Sequence, residues 1–307
     1  MILIDFSQLS ITTLMGHLKG DKTTEVTMSM CRNLFLRAIL EYKGKYEKRF
    51  GQIVIAVDGN DYWRRQIFPD YKCSRKKSKE DSGYDWEKIS ECINTMQMEL
   101  SRFFPYTVVR TPEAEGDDII GVLVEWSQEN DLVTEGLFNS PEETIIISAD
   151  GDLSSLTKYK SVKQFSPITR KAVTLAEPVE LFCLNHVLYG DATDSISNIV
   201  SPQNFFRLKM NTDEPMRQGT VGAKAKKFYY DQILEHGKVI EYRSPEEEIR
   251  FKQNETMVLM SHIPENVKQG ILDEFELQKS KQKNRKHVLQ YLISAKLQNL
   301  IGEAENF

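Results

Sequence analysis

The sequence has few cysteines and histidines, and their spacing matches no common metal or disulfide pattern. Four cysteines and five histidines are scattered over 307 residues, and no two cysteines form a C-x-x-C pair. This spacing excludes zinc fingers and disulfide-rich secreted domains, and we interpret the cysteines as free thiols. The chain also lacks the G-x-S-x-G motif and any cysteine in a Cys/His context. Nothing therefore indicates catalysis by a nucleophilic side chain.

Long apolar segments are missing as well. No run reaches the roughly 18 apolar residues that a membrane helix requires. The first residues, Met1 to Gln8, lack the basic stretch of a signal peptide and include Asp5. Hydrophobic residues make up 40% and charged residues 28% of the chain, as in ordinary globular proteins. We predict a soluble protein of about two domains in the cytoplasm, which would be that of the infected host if a phage encodes it.

The chain has no overall excess of basic charge. Its 40 basic and 45 acidic residues give a net charge of −5, which by itself argues against a nucleic-acid-binding protein. Five of the eight residues from Lys72 to Lys79 are nevertheless basic, and aromatic residues precede them. Such cations can hold phosphates and such rings can stack on bases, although a solvated charged loop is the alternative. The candidate nucleic-acid-binding residues here are Arg64, Arg65, Tyr71, Lys72, Arg75, Lys76 and Lys77.

Short apolar runs alternate with helix-length segments in the first two thirds of the chain. Buried parallel strands are predicted at Met1–Phe6, Ile53–Val57, Tyr106–Val109 and Thr144–Ser148. Helices are predicted at Glu25–Phe50, Asp85–Phe104 and Asp117–Trp126, and in the tail at Val221–Tyr230, Pro245–His262, Pro264–Phe275 and His287–Leu300. The pattern indicates an α/β fold with a mostly parallel central sheet flanked by helices. We place this domain at residues 1–186, with a basic loop at 60–83, and a smaller helical domain at 187–307.

Acidic residues follow the predicted strands at the point where each strand ends. They are Asp5, Asp58, Glu115, Asp117, Asp118, Asp150 and Asp152, with Asp191 and Asp194 further along the chain. The carboxyl ends of parallel strands share one sheet edge, so these carboxylates would repel one another unless a cation lies among them. Oxygen ligands without His or Cys favour Mg²⁺ or Mn²⁺, and two such ions would support phosphodiester hydrolysis. Taken singly, Asp118, Asp152 and Asp194 also fit a helix cap or a turn.

A glycine turn in the tail precedes a basic helix. Its free backbone N–H groups could hold a phosphate, although the spacing is not that of an ATP-binding P-loop. The candidate duplex-binding residues are Gly219, Gly222, Lys224, Lys226 and Lys227.

The order of these motifs resembles that of a known family. The motifs are Ile-Asp5-Phe-Ser, Val-Asp58, Tyr-Trp-Arg-Arg65, Tyr71-Lys72-x-x-Arg75, Glu115-x-Asp117-Asp118, Ser148-x-Asp150-Gly-Asp152 and Gly190-Asp191-x-x-Asp194. Together they resemble the flap endonuclease/5′-nuclease superfamily and, within it, the RNase H enzymes of T-even bacteriophages. The resemblance implies a metal-dependent 5′→3′ exonuclease and flap endonuclease that removes RNA primers and adjacent DNA during lagging-strand replication. Gly116 stands where the family usually has Ala.

The resemblance also implies roles for residues and partners. A first Mg²⁺ would be surrounded by Asp5, Asp58, Glu115, Asp117 and Asp150, and a second would be supported by Asp152, Asp191 and Asp194, with Asp118 in an outer position and Mn²⁺ able to substitute. Tyr71, Lys72 and Arg75 would belong to the arch over the 5′ strand, with Lys72 and Arg75 assisting catalysis. Residues 219–227 would form a helix–three-turn–helix. The implied partners are 5′-flap, nicked or forked duplex DNA, RNA–DNA hybrids and a single-stranded-DNA-binding protein; we expect a monomer without membrane contact and leave a sliding clamp open.

Two other functions remain open at this point. One is a nucleic-acid-binding replication accessory protein without catalytic activity, which the intact acidic set disfavours. The other is a Mg²⁺-dependent phosphohydrolase of small phosphoesters, which the basic aromatic segment disfavours.

Overall fold

A six-stranded sheet forms the centre of the first of two compact units. The structure is a computed structural model that describes residues 1–129, 142–281 and 286–307. The strands are β1 (Ile2–Asp5), β2 (Ile53–Ala56), β3 (Thr107–Val109), β4 (Thr144–Ile147), β5 (Val162–Ser166) and β6 (Lys171–Val173). They lie in the order β3-β2-β1-β4-β5-β6; the first five run parallel and β6 pairs antiparallel to β5. The prediction of a mostly parallel sheet is confirmed.

Helices flank the sheet and make up the tail. They are α1 (Phe6–Leu18), α2 (Met28–Phe50), α3 (Trp63–Ile67), α4 (Arg75–Ser82), α5 (Trp86–Phe103), α6 (Gly116–Glu129), α7 (Val179–Tyr189), α8 (Phe205–Met210), α9 (Ala223–His236), α10 (Pro245–Val258), α11 (Glu265–Ser280), α12 (Lys286–Ser294) and α13 (Gln298–Ile301). Short 3₁₀ helices occur at Asp152–Lys158, Met260–His262 and Ala304–Asn306. None of the helices in these described ranges is long and apolar enough to cross a membrane.

The four predicted strands form, and a helix forms at each predicted helical segment, with ends that differ by up to six residues; the segment predicted as one helix at His287–Leu300 is divided into α12 and α13. Several elements were not predicted: α1, which directly continues β1, the helices α7 and α8, the paired strands β5 and β6, and the 3₁₀ helices at Asp152–Lys158 and Ala304–Asn306. The prediction of a loop over residues 60–83 was wrong in part, because α3 and α4 form within it. The sequence of α4 contains no apolar residue, so no apolar periodicity predicts a helix there, and none of its residues is buried.

The chain divides into two compact units that interleave along the sequence. The first consists of Met1–Asp61, Gly83–Thr174 and Glu265–Phe307, and the second of Tyr62–Ser82 and Leu175–Pro264. The sequence predicted one domain boundary between residues 186 and 187, whereas each unit consists of two or three separate segments of the chain. The last segment joins the first unit because buried residues of α12, such as Tyr291 and Leu292, extend the core formed by the sheet, α2 and α5. The basic segment belongs to the second unit, where Phe68 and Tyr71 pack into its core.

Candidate metal centre and nucleic-acid interface

Carboxylates of the first unit follow the ends of neighbouring strands, as predicted. Asp5 ends the central strand β1, Asp58 follows β2, and Asp150 follows β4 on the other side of β1. Glu115 and Asp117 lie after β3, at the start of α6. The backbone N–H of Gly116 donates to Asp58 Oδ1 at 2.7 Å, which joins the end of β2 to the start of α6.

Asp5 is the buried centre of this group. Only 6% of Asp5 is exposed, and the residue caps α1 by accepting a hydrogen bond from the N–H of Gln8 at 3.0 Å. Its other oxygen accepts from Ser148 Oγ at 3.1 Å. Burial, and then repulsion by the carboxylates of Asp58 and Asp150, raises the pKa of Asp5 to about 7. The fold thus concentrates negative charge around Asp5, whose hydrogen-bond donors, the N–H of Gln8 and Ser148 Oγ, are neutral.

The loop after β4 is held by side chains that present Asp150. The N–H of Asp150 donates to Ser148 Oγ at 3.1 Å, and Asp150 Oδ1 accepts from the N–H of Asp152 at 2.9 Å. Gln164, on β5, donates to the carbonyl oxygens of Ser148 and Asp150 at 3.1 and 2.7 Å. Only 1% of Gln164 is exposed. This glutamine therefore supports the loop from the neighbouring strand.

Asp118 starts a helix. It is completely buried, and its Oδ2 accepts a hydrogen bond from the backbone N–H of Glu115 at 3.0 Å. A carboxylate in the first turn that bonds back to the residue before the helix is half of a capping box. This geometry favours the alternative of a helix cap for Asp118, and a role as an outer metal ligand stays a prediction.

Gly116 lies against the same carboxylates. A Cβ atom at this position would be 3.3 Å from Asp58 Oδ1 and 3.8 Å from Asp5 Oδ1. The start of α6 therefore comes so close to the acidic group that an alanine side chain would touch it.

The donor set fits a hard divalent cation by its chemistry. All of the predicted ligands are carboxylates, which Mg²⁺ and Mn²⁺ prefer. In residues 1–129, 142–281 and 286–307, no three Asp, Glu, His or Cys side chains already surround one point as a ligand cage. The fit thus rests on the accumulated negative charge around Asp5, which a bound cation would compensate.

In the second unit, Asp194 is enclosed by the predicted phosphate-binding residues. Its Oδ1 accepts from Arg75 at 2.6 Å, its Oδ2 accepts from Tyr71 Oη at 2.7 Å, and Lys72 Nζ lies 3.5 Å from Oδ2. Burial opposes the ionisation of Asp194, but Lys72, Arg75 and Tyr71 together outweigh it and hold the pKa of Asp194 below its usual range. Asp191 accepts at 2.7 Å from the N–H of Thr193, within the same turn. Roles for both aspartates at a second ion stay predictions.

The basic segment contains exposed and buried cations. Arg65, Arg75, Lys76 and Lys77 are exposed to solvent. Arg64 is only 4% exposed; its Nε donates to the carbonyl oxygen of Met257 at 2.8 Å. This burial favours a structural role for Arg64 over a nucleic-acid contact.

The glycine turn of the tail leads into α9 as predicted. The N–H of Gly219 donates to Ser201 Oγ at 2.9 Å, and its carbonyl oxygen accepts from Asn198 at 2.7 Å. Gly222 occupies the N-cap position of α9. Lys224 and Lys227 are exposed and Lys226 is half-buried, so this helix start presents cations to solvent.

Comparison with known proteins identifies the family. Residues 2–181 match the family described as 5′-3′ exonuclease, N-terminal resolvase-like domain, and residues 178–307 match the family described as T4 RNase H, C terminal. The chain is 30% identical over 312 residues to Ribonuclease H of Enterobacteria phage T4, covering 99% of this chain and 95% of that protein. The chain belongs to the T4 RNase H family of 5′-3′ exonucleases. It is therefore a 5′ nuclease, as the resemblance of its motifs implied.

Two solved protein structures from bacteriophage T5 are similar to this chain in fold. The T5 flap endonuclease in a pseudo-enzyme-product complex with DNA and metal ions has a TM-score of 0.59 at 16% identity, covering 91% of this chain and 99% of that chain. The T5 5′-exonuclease with bound divalent zinc has a TM-score of 0.59 at 17% identity, with the same coverage.

Two residues that support the candidate site, Gln164 and Gln8, were missed by the sequence reasoning. Gln164 gave no signal because β5 itself was not predicted. Gln8 donates through its backbone to Asp5 and accepts through Oε1 from the N–H of Ala149 at 2.9 Å. No residue type or spacing marks such a contact, because it depends on the three-dimensional approach of the loop after β4 to α1.

Proposed function

We propose that this chain is a two-metal, structure-selective 5′ nuclease that removes RNA primers and adjacent DNA. The observation that carries the proposal is the burial of Asp5 between Asp58 and Asp150 at the carboxyl edge of the sheet, where the pKa of Asp5 is raised. A carboxylate group that is costly without a counter-ion suits a site that binds divalent cations for phosphoryl chemistry.

The residues of the site divide into proposed metal ligands and side chains that orient those ligands. The first ion would be held by Asp5, Asp58, Glu115, Asp117 and Asp150, and the second by Asp152, Asp191 and Asp194. When bound, Mg²⁺ or Mn²⁺ supplies a Lewis acid and lowers the pKa of an attacking water. The chain supplies orientation: Ser148 and the N–H of Gln8 fix Asp5, and Gln164 fixes the loop of Asp150.

The cations of the second unit bind the phosphates of the substrate strand. Arg75 donates a hydrogen bond to a carboxylate oxygen of Asp194 and Lys72 forms an ion pair with the other oxygen, so the same groups can bind phosphate oxygens. Lys76 and Lys77 extend this positive surface along α4, and the exposed lysines at the start of α9 contact the duplex backbone.

The relatives support the choice of substrate and partners. The phage T4 relative is named a ribonuclease H, and the T5 neighbour was solved with DNA and metal ions. We therefore propose DNA flaps, nicked or forked duplexes and RNA–DNA hybrids as substrates. A single-stranded-DNA-binding protein is the proposed partner of a monomeric enzyme, and a sliding clamp is left open.

Cleavage of labelled substrates tests the proposal. A 5′-labelled flap duplex and a matched RNA–DNA hybrid are incubated with the protein in Mg²⁺ or in EDTA, and short 5′ products are expected from both in Mg²⁺ alone. Asp150→Asn should abolish cleavage while binding is kept, because Asn Oδ1 can still accept from the N–H of Asp152 but carries no charge. Asp85→Asn, at an exposed helix cap, is the matched control and should cleave normally.

Two outcomes would contradict the proposal. Cleavage that persists in Asp150→Asn would remove this residue from the metal centre. Binding without cleavage in both Mg²⁺ and Mn²⁺ would favour a catalytically inactive, nucleic-acid-binding accessory protein. Turnover of a small phosphate monoester in place of nucleic acid would favour a small-molecule phosphohydrolase.

A further inference from the structure

A pair of serine hydroxyls joins the start of α4 to the turn that carries Asp194. Ser195 is completely buried, and its Oγ accepts a hydrogen bond from the N–H of Ser74 at 3.1 Å. The two Oγ atoms are hydrogen-bonded to each other at 2.8 Å. Beside them, the N–H of Lys72 donates to the carbonyl oxygen of Asp194 at 2.8 Å. We call these four residues, Lys72, Ser74, Asp194 and Ser195, the clasp.

The backbone is strained on both sides of the clasp. Lys72 has a φ of 59° and Ser195 a φ of 63°, which is the left-handed region that residues other than glycine avoid. Each such residue costs on the order of 1 kcal/mol. The hydrogen bonds of the clasp hold both residues there. Strain that is kept at both ends of one contact indicates that the geometry itself is used.

The clasp fixes the two cations relative to Asp194. Arg75 follows Ser74 directly and bonds Asp194 Oδ1, while Lys72 lies on the other side of Ser74 and faces Oδ2. Any movement of Ser74 away from Ser195 would therefore move both cations relative to the carboxylate. We propose that Ser195, acting through Ser74, is a positioning residue that sets the geometry of Lys72 and Arg75 for phosphodiester cleavage.

This inference rests on the proposed role of Lys72 and Arg75 as phosphate-binding groups. Ser195 is buried and is not proposed to touch the substrate. Loss of its hydroxyl leaves the number of cations unchanged, so electrostatic binding of DNA should persist. The rate is more sensitive, because misplacement of a reacting group by about 1 Å can cost about 100-fold.

Ser195→Gly removes the hydroxyl while the backbone can keep its φ of 63°. Glycine adopts a φ of 63° freely, so the turn is kept, while the side chain with the hydrogen bonds of Oγ and the strain at this residue are lost. We expect kcat on the flap substrate to fall about tenfold, with the Kd for the flap in EDTA changed less than about twofold. Ser82→Ala is the control on the same helix, because its Oγ donates within α4 to the carbonyl oxygen of Lys79 and not to a residue of the clasp; it should change kcat less than about twofold.

A double-mutant cycle separates positioning from general destabilisation. In a chain that carries Lys72→Ala and Arg75→Ala, Ser195→Gly should have almost no further effect on kcat, since no cations remain to be positioned. A full tenfold loss in that background would overturn the inference. So would an unchanged kcat for Ser195→Gly when the cation variant itself is slow.

Failure of the underlying proposal would look different. If Lys72→Ala with Arg75→Ala cleaves as fast as the unmodified chain, the proposed role of the cations fails, whatever Ser195→Gly does. If Ser195→Gly unfolds at the assay temperature, Ser74→Ala gives the same test, because it removes only the Oγ–Oγ bond and keeps the Ser74 N–H. For that variant we expect a loss of about threefold in kcat, which the cation variant should again suppress.

Discussion

Removal of the charge of Asp5 should stabilise the metal-free protein. Asp5→Asn keeps the size of the side chain and an oxygen that can accept from the N–H of Gln8. It loses the bond from Ser148 Oγ and ends the repulsion with Asp58 and Asp150. A substitution at a proposed metal ligand would thus increase the free energy of unfolding.

The size of the effect follows from the pKa of Asp5. An increase from 3.8 to about 7 corresponds to about 4 kcal/mol of stability lost when the carboxylate is ionised in the folded protein. A lost hydrogen bond to a charged group offsets about 2 kcal/mol of this gain. We therefore expect Asp5→Asn to raise the free energy of unfolding by about 2 kcal/mol at pH 8 without metal.

The pH dependence gives the sign of the effect. The pKa of Asp5 is raised on folding, so below about pH 4 the carboxyl group is protonated in both states and costs nothing. The penalty grows as the pH rises from about 4 to about 7 and is constant above. The difference in stability between Asp5→Asn and the unmodified chain should follow this curve, and Mg²⁺ should reduce it by binding to the unmodified chain more tightly.

Thermal unfolding in EDTA between pH 4 and pH 8 measures the difference. At pH 8 the midpoint of Asp5→Asn should be about 4 °C higher. Asp85→Asn is the matched control: Asp85 also caps a helix, accepting from the N–H of Lys88 at 2.9 Å, but it is exposed. Asn caps as well as Asp, so this midpoint should stay within about 1 °C. A difference for Asp5→Asn that is absent at pH 8, or equal at all pH values, would refute the reasoning.

Three further substitutions, one of them with a matched control, test contacts in the two units. Gly59→Ala should lower the free energy of unfolding by about 3 kcal/mol, because its Cβ would lie 2.2 Å from a backbone oxygen. The control Gly44→Ala, in open space within α2, should raise the free energy of unfolding by up to about 1 kcal/mol. Equal urea midpoints for the two variants would contradict this prediction. Asn254→Leu should lower it by about 3 kcal/mol, because two buried carbonyl oxygens lose their donor; an unchanged urea midpoint would mean that water replaces the amide. Gln164→Leu should raise the Mg²⁺ concentration for half-maximal cleavage about tenfold, since the loop of Asp150 loses its support, and a lower kcat with unchanged Mg²⁺ dependence would argue against that.

The sheet and the positions of its carboxylates could be predicted because both follow from local patterns. Runs such as Ile53–Val57 are continuous and β-branched, which is typical of strands buried on both faces. Once the strands are placed parallel, chain-distant residues such as Asp5 and Asp150 must lie at one edge. β5 was not predicted because Lys163 and Gln164 interrupt its apolar run. Gln164 is buried because its side chain donates a hydrogen bond to the carbonyl oxygen of Asp150.

Contacts between distant segments could not be predicted. Asp194 follows Lys72 by more than a hundred residues, and nothing in either motif shows that one encloses the other. The positive φ values of Lys72 and Ser195 were equally hidden, because neither residue type favours that region. The grouping of α12 with the sheet depends on which core its apolar face enters, and the amphipathic pattern of a helix does not state its partner.

Asp5 and Asp194 have different electrostatic surroundings, and the difference predicts how each carboxylate of this 5′ nuclease responds to metal. Asp5 accepts from two neutral donors, Gln8 and Ser148, and its pKa is raised; Asp194 is bonded by two cations and a phenol, and its pKa is lowered. A cation that binds beside Asp5 gains the full relief of the repulsion, whereas one that binds Asp194 competes with Lys72 and Arg75. Divalent ions should therefore fill the Asp5 group first. Calorimetric titration with Mg²⁺ should show one binding event that is lost in Asp5→Asn and kept in Asp194→Asn, and loss of the event in Asp194→Asn alone would reverse this order.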